Sequence, residues 1–521
     1  MCVYTVTEGR LPLSLMLGVM LDMGTNRQRL QDDPEYKGIK APRLGSEDPQ
    51  YQKAMRVIKT AYQRLGIGFV MDEDFAGSEA WLNIRLAREL NDRSLNDDVE
   101  GTGSLMAEIL LLAELLGINI EHSQIIGYGA GGAGTGIFDQ AREVFCGQIP
   151  EEEIFRTLFW FLDSAGLLVA DRRVKESQGR AEFRSFQQEL GLVIGQADPR
   201  WAAIRDFRQG VGRGSEEQIT LAETIRLATQ KVQEHDDGAI FLYGFAATAD
   251  AFNDEVIQAL AEARVPVFMV AGSNPFEACE ILTSEDLAEL RRATGKEEKQ
   301  TVVRRRIERL YRVFAENGGN ADDLRVTLGS AYLEFTRPDG GPGIVAQGNN
   351  LFTFGAMVEA VMVARLSRLT LQMKAEAARA GARFMRKQER ENFDLGALYP
   401  ERAHLAEVIL AKTAALILVG LMDQSVEVGN PDYAEIRTEI GRMREAGKSD
   451  EEIRKEGLLL VKALLDKSRW ENVGRTAEVI AARRRLQPEP EVAQKAFNQA
   501  CRVLDDKGIG LAAKTITAKT S

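Results

Sequence analysis

A chain of 521 residues with a formal net charge of -12 is long enough to bury a large core in two or more domains. Its acidity argues against nucleic acid or an anionic membrane surface as the main partner, but does not exclude a negatively charged small-molecule substrate. Four scattered cysteines (Cys2, Cys146, Cys279, Cys501) without CxxC spacing argue against a disulfide framework or zinc site and fit a reducing cytoplasm.

In chain order, the apolar run 11–21 follows Arg10 but lacks a small-residue cleavage site. It is too short to span a bilayer, so it reads as a buried strand. Apolar residues three and four apart predict a helix over 51–65. A short apolar strand over 67–71 then delivers Glu73 and Asp74 at its C-terminal end, where sites form in open α/β sheets. A second acidic cluster, Asn96-Asp97-Asp98-Val99-Glu100-Gly101-Thr102, precedes an apolar helix over 104–116. Segments 123–128, 158–162, 239–243 and 265–270 read as buried parallel strands with apolar helices between them. That alternation predicts an α/β fold with a doubly wound parallel sheet, packed on a second α/β domain formed by the segments before and after it. The expected divisions are 1–96, 97–348, a helical return segment 349–445, and a charged helical tail 446–521. Two charged stretches, 175–237 and 284–323 with Arg304-Arg305-Arg306, read as helical insertions with solvated faces and not as basic binding patches.

The chemistry falls to carboxylates, amides and a metal, because His122, His235 and His404 sit in no ligand or triad pattern. Gly129-Ala130-Gly131-Gly132-Ala133-Gly134 follows a predicted strand and leads into a helix. Glycines in this GxGxxG pattern permit a tight turn and close backbone approach, and the helix N-terminus offers amides to a pyrophosphate. Asp163 ends the next strand, where a ribose hydroxyl needs an acceptor. Its interval from the loop exceeds the usual ~20 residues, which an extra stretch over 148–153 accounts for. Asp163 suits NAD, whereas Arg172 and Arg173 keep NADP open. Glu73, Asp74, Asp97 and Asp98 supply hard oxygen ligands of the kind that hold Mg²⁺ or Mn²⁺. Such a metal polarises a carbonyl and stabilises a developing enolate. Ser273-Asn274-Pro275 and Gln347-Gly348-Asn349-Asn350 place amides that hold a carboxylate or hydroxyl; each alone reads as a turn or helix cap.

Taken together these motifs resemble the malic enzyme family, in family order over residues 1 to about 420. The matching text comprises VYT at 3–5, LDMGTN at 21–26, DPEYKG at 33–38, EDF, NDDVEGT, GAGGAGTGI, LDSAGLLV at 162–169, SNP, GSAY at 329–332, QGNN and LYP at 398–400. The resemblance implies NAD(P)-dependent oxidative decarboxylation of L-malate to pyruvate and CO₂. It assigns Glu73, Asp74 and Asp98 to Mn²⁺ or Mg²⁺, and Asp97 to the carboxylate that pairs with the family's catalytic lysine. It also assigns Asn274, Asn349 and the adjacent Asn350 to malate, and the glycine loop with Asp163 to the cofactor. A homo-oligomer is likewise implied by the family.

The sequence departs from the family at several points. The family's general-base lysine immediately precedes the segment matched by Met1-Cys2-Val3-Tyr4-Thr5, and its tyrosine acid and substrate-binding arginine lie further upstream. Segment 1–96 therefore corresponds to the C-terminal part of the family's N-terminal domain. Loss of positioned proton-transfer groups costs ~10²–10⁴-fold in rate, so the alternatives are a catalytically impaired or truncated nucleotide-binding relative, or a malolactic-type enzyme. Glu100 replaces the family's glutamine and is expected to add negative charge near the cofactor. The two charged stretches and the tail are expected to lie outside the resemblance.

Overall fold

The computed structural model describes residues 23–64, 69–72, 75, 77–90, 94–145, 156–171, 187–188, 191–214, 217–273, 278–329, 333–348, 350–391 and 405–483. The expected strand over 11–21 lies outside them.

Helix α1 (Pro49–Arg64) precedes a two-stranded parallel sheet of β1 (Val70–Asp72) and β2 (Ser94–Asn96), joined by α2 (Gly77–Glu89). Asp72 pairs in register with Asn96, so both acidic clusters attach to the C-terminal ends of neighbouring strands. The chain then makes one π-helical turn, Asp97–Gly101, before α3 (Thr102–Leu115).

The main sheet comprises β3 (Gln124–Tyr128), β4 (Phe159–Asp163), β5 (Gly166–Leu167), β6 (Ile240–Gly244), β7 (Val267–Ala271), β8 (Leu324–Leu328), β9 (Leu333–Thr336) and β10 (Pro342–Gln347). Their order is β5-β4-β3-β6-β7-β8-β10-β9, parallel except for the edge strands β5 and β9. The central strands are near-continuous apolar runs because both faces are covered. One face packs Ile126, Leu162 and Leu242 under α6 (Leu221–Val232), α7 (Asp254–Glu262) and α9 (Lys296–Glu316). The other packs Ile125, Phe161 and Phe241 under α3 and α4 (Gly132–Phe145). The chain leaves β3 outward to β4 and returns to β6 on the opposite side of β3. The C-terminal ends of β3 and β6 therefore form the topological switch point, the place where ligands bind in such sheets.

Return helices α10 (Leu351–Ala364), α11 (Leu371–Glu391) and α12 (Leu405–Met422), with α13 (Pro431–Glu445) and α14 (Asp450–Arg483), build a third core around Leu95 of β2, with Phe69 and Met71 against it. No helix among the described residues is long and apolar enough to cross a membrane.

One expectation is corrected. The stretch 175–237 is not an insertion: α6 lies within it and buries Leu221, Ile225, Leu227, Ala228 and Val232 against the sheet. The second charged stretch is helical as expected: α9 buries Val303, Ile307, Leu310 and Phe314 on its inward face. Only the outward faces are solvated, and Arg305, Arg306 and Arg309 are committed to Asp286, Asp250 and Asp254. Strands β8 to β10 add three members to the sheet that the apolar-run reading did not anticipate.

Candidate active site

The glycine loop sits at the switch point. Gly129 and Ala130 donate their amides to the Leu162 carbonyl at 2.8 and 2.9 Å, which seats the turn on β4. Gly129 has φ +110, and a Cβ there would lie 2.6 Å from the Phe245 carbonyl carbon beyond β6. A Cβ on Gly134 would lie 2.4 Å from the Gly129 oxygen. Packing thus demands the first and third glycines. Gly131 is different: among the described residues nothing lies within 4 Å of a Cβ built there. A second glycine left open at the N-terminus of α4 is a geometry that can admit a phosphate group close to the backbone amides. Gln187, which local sequence did not mark, is buried and donates its Nε2 to the Ala130 carbonyl at 2.7 Å. Asp163 stands half-buried at the end of β4, where its Oδ1 accepts from the Ala165 amide at 2.7 Å. Arg172 and Arg173 lie outside the described residues.

Next to this loop a buried carboxylate ties two strand ends together. Glu280 accepts from the Ala246 amide at 3.2 Å and the Ser273 amide at 3.3 Å, while Ser273 Oγ accepts from the Ala247 amide at 3.0 Å. No cation pairs with it among the described residues, and burial pushes its carboxyl up from the ordinary 4.5. A raised folded pKa gives stability that is complete below that ordinary value and lost as pH rises through the folded value. Glu280→Gln should therefore show a flatter dependence of melting temperature on pH above 4.5 than the parent; parallel profiles would show that Glu280 does not carry the slope.

The acidic turn is held from far along the chain. Asp97 is buried, and its Oδ2 accepts from Asn350 Nδ2 at 2.9 Å. Asn350, which alone reads as a cap, makes no side-chain cap bond at the start of α10. Asp98 is half-buried. Glu100 is buried, accepts from the Asn96 amide at 3.0 Å and forms an ion pair with Lys374 of α11. The extra charge expected from Glu100 is thus compensated. Glu73, Asp74, Asn274 and Asn349 lie outside the described residues, and the described residues hold no metal-competent group of three or more His, Cys, Asp or Glu. Buried Lys59 is committed to Asp72 at 2.9 Å, and Lys40 donates to the Asp33 carbonyl at 2.5 Å.

The malic enzyme N-terminal domain pattern matches residues 1–85, and the malic enzyme NAD binding domain pattern matches 99–294 and 321–419. The second match runs through 175–237, contrary to the expectation that this stretch lies outside the resemblance, whereas it omits 295–320, most of the second charged stretch, and the tail beyond 419, as expected. The NAD-dependent malic enzyme of Colwellia psychrerythraea is 27% identical over 387 residues, 73% of this chain and 57% of that protein. The mitochondrial NAD-dependent malic enzyme 1 of Arabidopsis thaliana is 25% identical over 449 residues, 84% of this chain and 60% of that protein. NAD-dependent malic enzyme 3 of Bacillus subtilis is 28% identical over 295 residues, 56% of this chain and 46% of that protein. The chain thus spans less than two thirds of the length of these relatives. Among solved structures, the Entamoeba histolytica malic enzyme gives a TM-score of 0.49 at 13% identity, covering 90% of this chain and 72% of that one. With its two domain patterns matched in order across most of its length, the chain belongs to the malic enzyme family.

Proposed function

We propose that the chain serves metal-dependent oxidative decarboxylation of L-malate, in which malate and NAD⁺ give pyruvate, CO₂ and NADH, with NADP⁺ as the alternative acceptor. The observation that carries this reading is the open Gly131 cradle at the switch point, in a fold where Asn350 binds Asp97 at the root of the acidic turn. The loop amides hold the pyrophosphate and Asp163 the ribose hydroxyl. Glu73, Asp74 and Asp98 form a donor set of hard oxygens that fits Mn²⁺ or Mg²⁺. When bound, the ion supplies Lewis acidity at the substrate oxygens. Asn274, Asn349 and Asn350 orient malate without adding charge. The Asn350 bond holds Asp97 in place, and the Lys374 pair neutralises Glu100 beside it. A cytoplasmic location belongs to the same reading, from the scattered cysteines of the sequence; the named relatives include a mitochondrial protein. A homo-oligomer belongs to the same reading.

Mn²⁺ binding followed by electron paramagnetic resonance tests the ligand assignment. Asp98→Asn and Glu73→Gln should each weaken Mn²⁺ at least ~100-fold, the upper end of what loss of even an outer-shell partner costs. Affinity equal to the parent's in both variants would remove these carboxylates from the metal site.

A further inference from the structure

The glycine loop is clasped by a side chain from the small N-terminal sheet's own helix. Trp81 of α2 donates its indole Nε1–H to Thr135 Oγ1 at 2.5 Å, and both residues are buried. Thr135 Oγ1 in turn lies 2.9 Å from the Gly131 carbonyl and 2.8 Å from the Gly132 carbonyl. A hydroxyl has one hydrogen and two lone pairs. Accepting from the indole occupies a lone pair and directs the hydrogen to these two carbonyls. In a trans peptide the C=O and the following N–H point in opposite directions. The Gly131 carbonyl also accepts from the Thr135 amide at 3.0 Å, so the hydroxyl reinforces an orientation in which the amides of Gly132 and Ala133 point the opposite way, out of the helix end.

The backbone around the clasp is tightly seated. A Cβ on Gly136 would lie 2.2 Å from the Val99 carbonyl oxygen in the acidic turn, and one on Gly103 would lie 2.3 Å from the Gly136 oxygen. Trp81 also shares an apolar cluster with Ala80, Ile84 and Val99, against which Phe75 packs. The clasp thus joins the first turn of α4 to the segment that follows Glu73 and Asp74.

We propose that Trp81, acting through Thr135, is a positioning residue for the dinucleotide pyrophosphate: its indole N–H fixes the hydroxyl that orients the loop amides. The proposal rests on the dinucleotide reading of residues 129–134. NADH titration by fluorescence tests it with four variants: Trp81→Phe, which keeps the ring, Thr135→Val, which breaks the same bond from the other helix, Thr135→Ser, which keeps the hydroxyl, and the Trp81→Phe/Thr135→Val double variant. The first two should each raise the NADH Kd about 3- to 10-fold, the worth of one hydrogen bond. The double variant should be no weaker than Thr135→Val alone, and Thr135→Ser should bind like the parent. Parent-like Kd values in both Trp81→Phe and Thr135→Val, additive losses in the double variant, or failure of Thr135→Ser to restore binding would overturn the proposal. A parent chain that does not bind NADH would instead defeat the dinucleotide reading, and this proposal with it.

Discussion

Lys412→Met should lower stability by about 3–5 kcal/mol at neutral pH, the cost of removing one partner from a buried ion pair. Lys412 is fully buried on α12 and binds Glu108 of α3, with Thr353 Oγ1 accepting from its Nζ at 3.0 Å. Burial pushes the Glu108 carboxyl up from its ordinary value, and the Lys412 charge opposes that rise. Without the lysine, only protonation relieves the carboxylate. The folded pKa then climbs further, so the variant gains stability relative to its neutral-pH value as pH falls. The site cannot relax around the loss, because Gly381 of α11 closes over the pair: a Cβ there would meet Glu108 Oε1 at 2.2 Å and Lys412 Cε at 2.5 Å. Urea denaturation across pH measures both effects. Removing both charges together, as Lys412→Met with Glu108→Leu, should recover most of the loss. Full stability in the single variant at pH 7 would show that the pair does not hold α12 to α3.

The second large effect concerns a position the fold does not need. Gly131→Val should leave the melting temperature nearly unchanged, because a Cβ at Gly131 meets nothing within 4 Å among the described residues. It should nevertheless weaken NADH about 100-fold, since a branched side chain fills the pyrophosphate cradle and charge-assisted amide bonds are each worth ~1.5–3 kcal/mol. Gly134→Val provides the contrast: its Cβ would strike the Gly129 carbonyl at 2.4 Å, so it should lose stability as well as ligand. Parent-like NADH affinity in folded Gly131→Val would place the nucleotide elsewhere.

What the sequence revealed and what it hid follow from the range of the forces involved. Strands β3, β4, β6 and β7 were legible because doubly covered strands must be apolar throughout. The glycine loop was legible because a positive φ at Gly129 and the close approach at Gly134 exclude other residues. Helix α6 was obscured by charges on its outward face, although Leu221, Ile225, Ala228 and Val232 carry a helical apolar period and Thr220 with Glu223 forms a capping box. The site's long-range bonds had no local signal. Asn350 meets Asp97 across 253 residues, Lys374 meets Glu100 across 274, and Lys412 meets Glu108 across 304. Lysines on α11 and α12 carry no mark of a distant carboxylate until those helices pack on α3 and the acidic turn.

The most direct measurement is malate-dependent NAD⁺ reduction by the 521-residue chain, with Mn²⁺ and with chelator, while pyruvate is assayed in parallel. The account predicts NADH formation matched by pyruvate and abolished by chelator. A chain that binds NADH yet forms neither product with any divalent ion would contradict the catalytic reading and leave nucleotide binding as its activity.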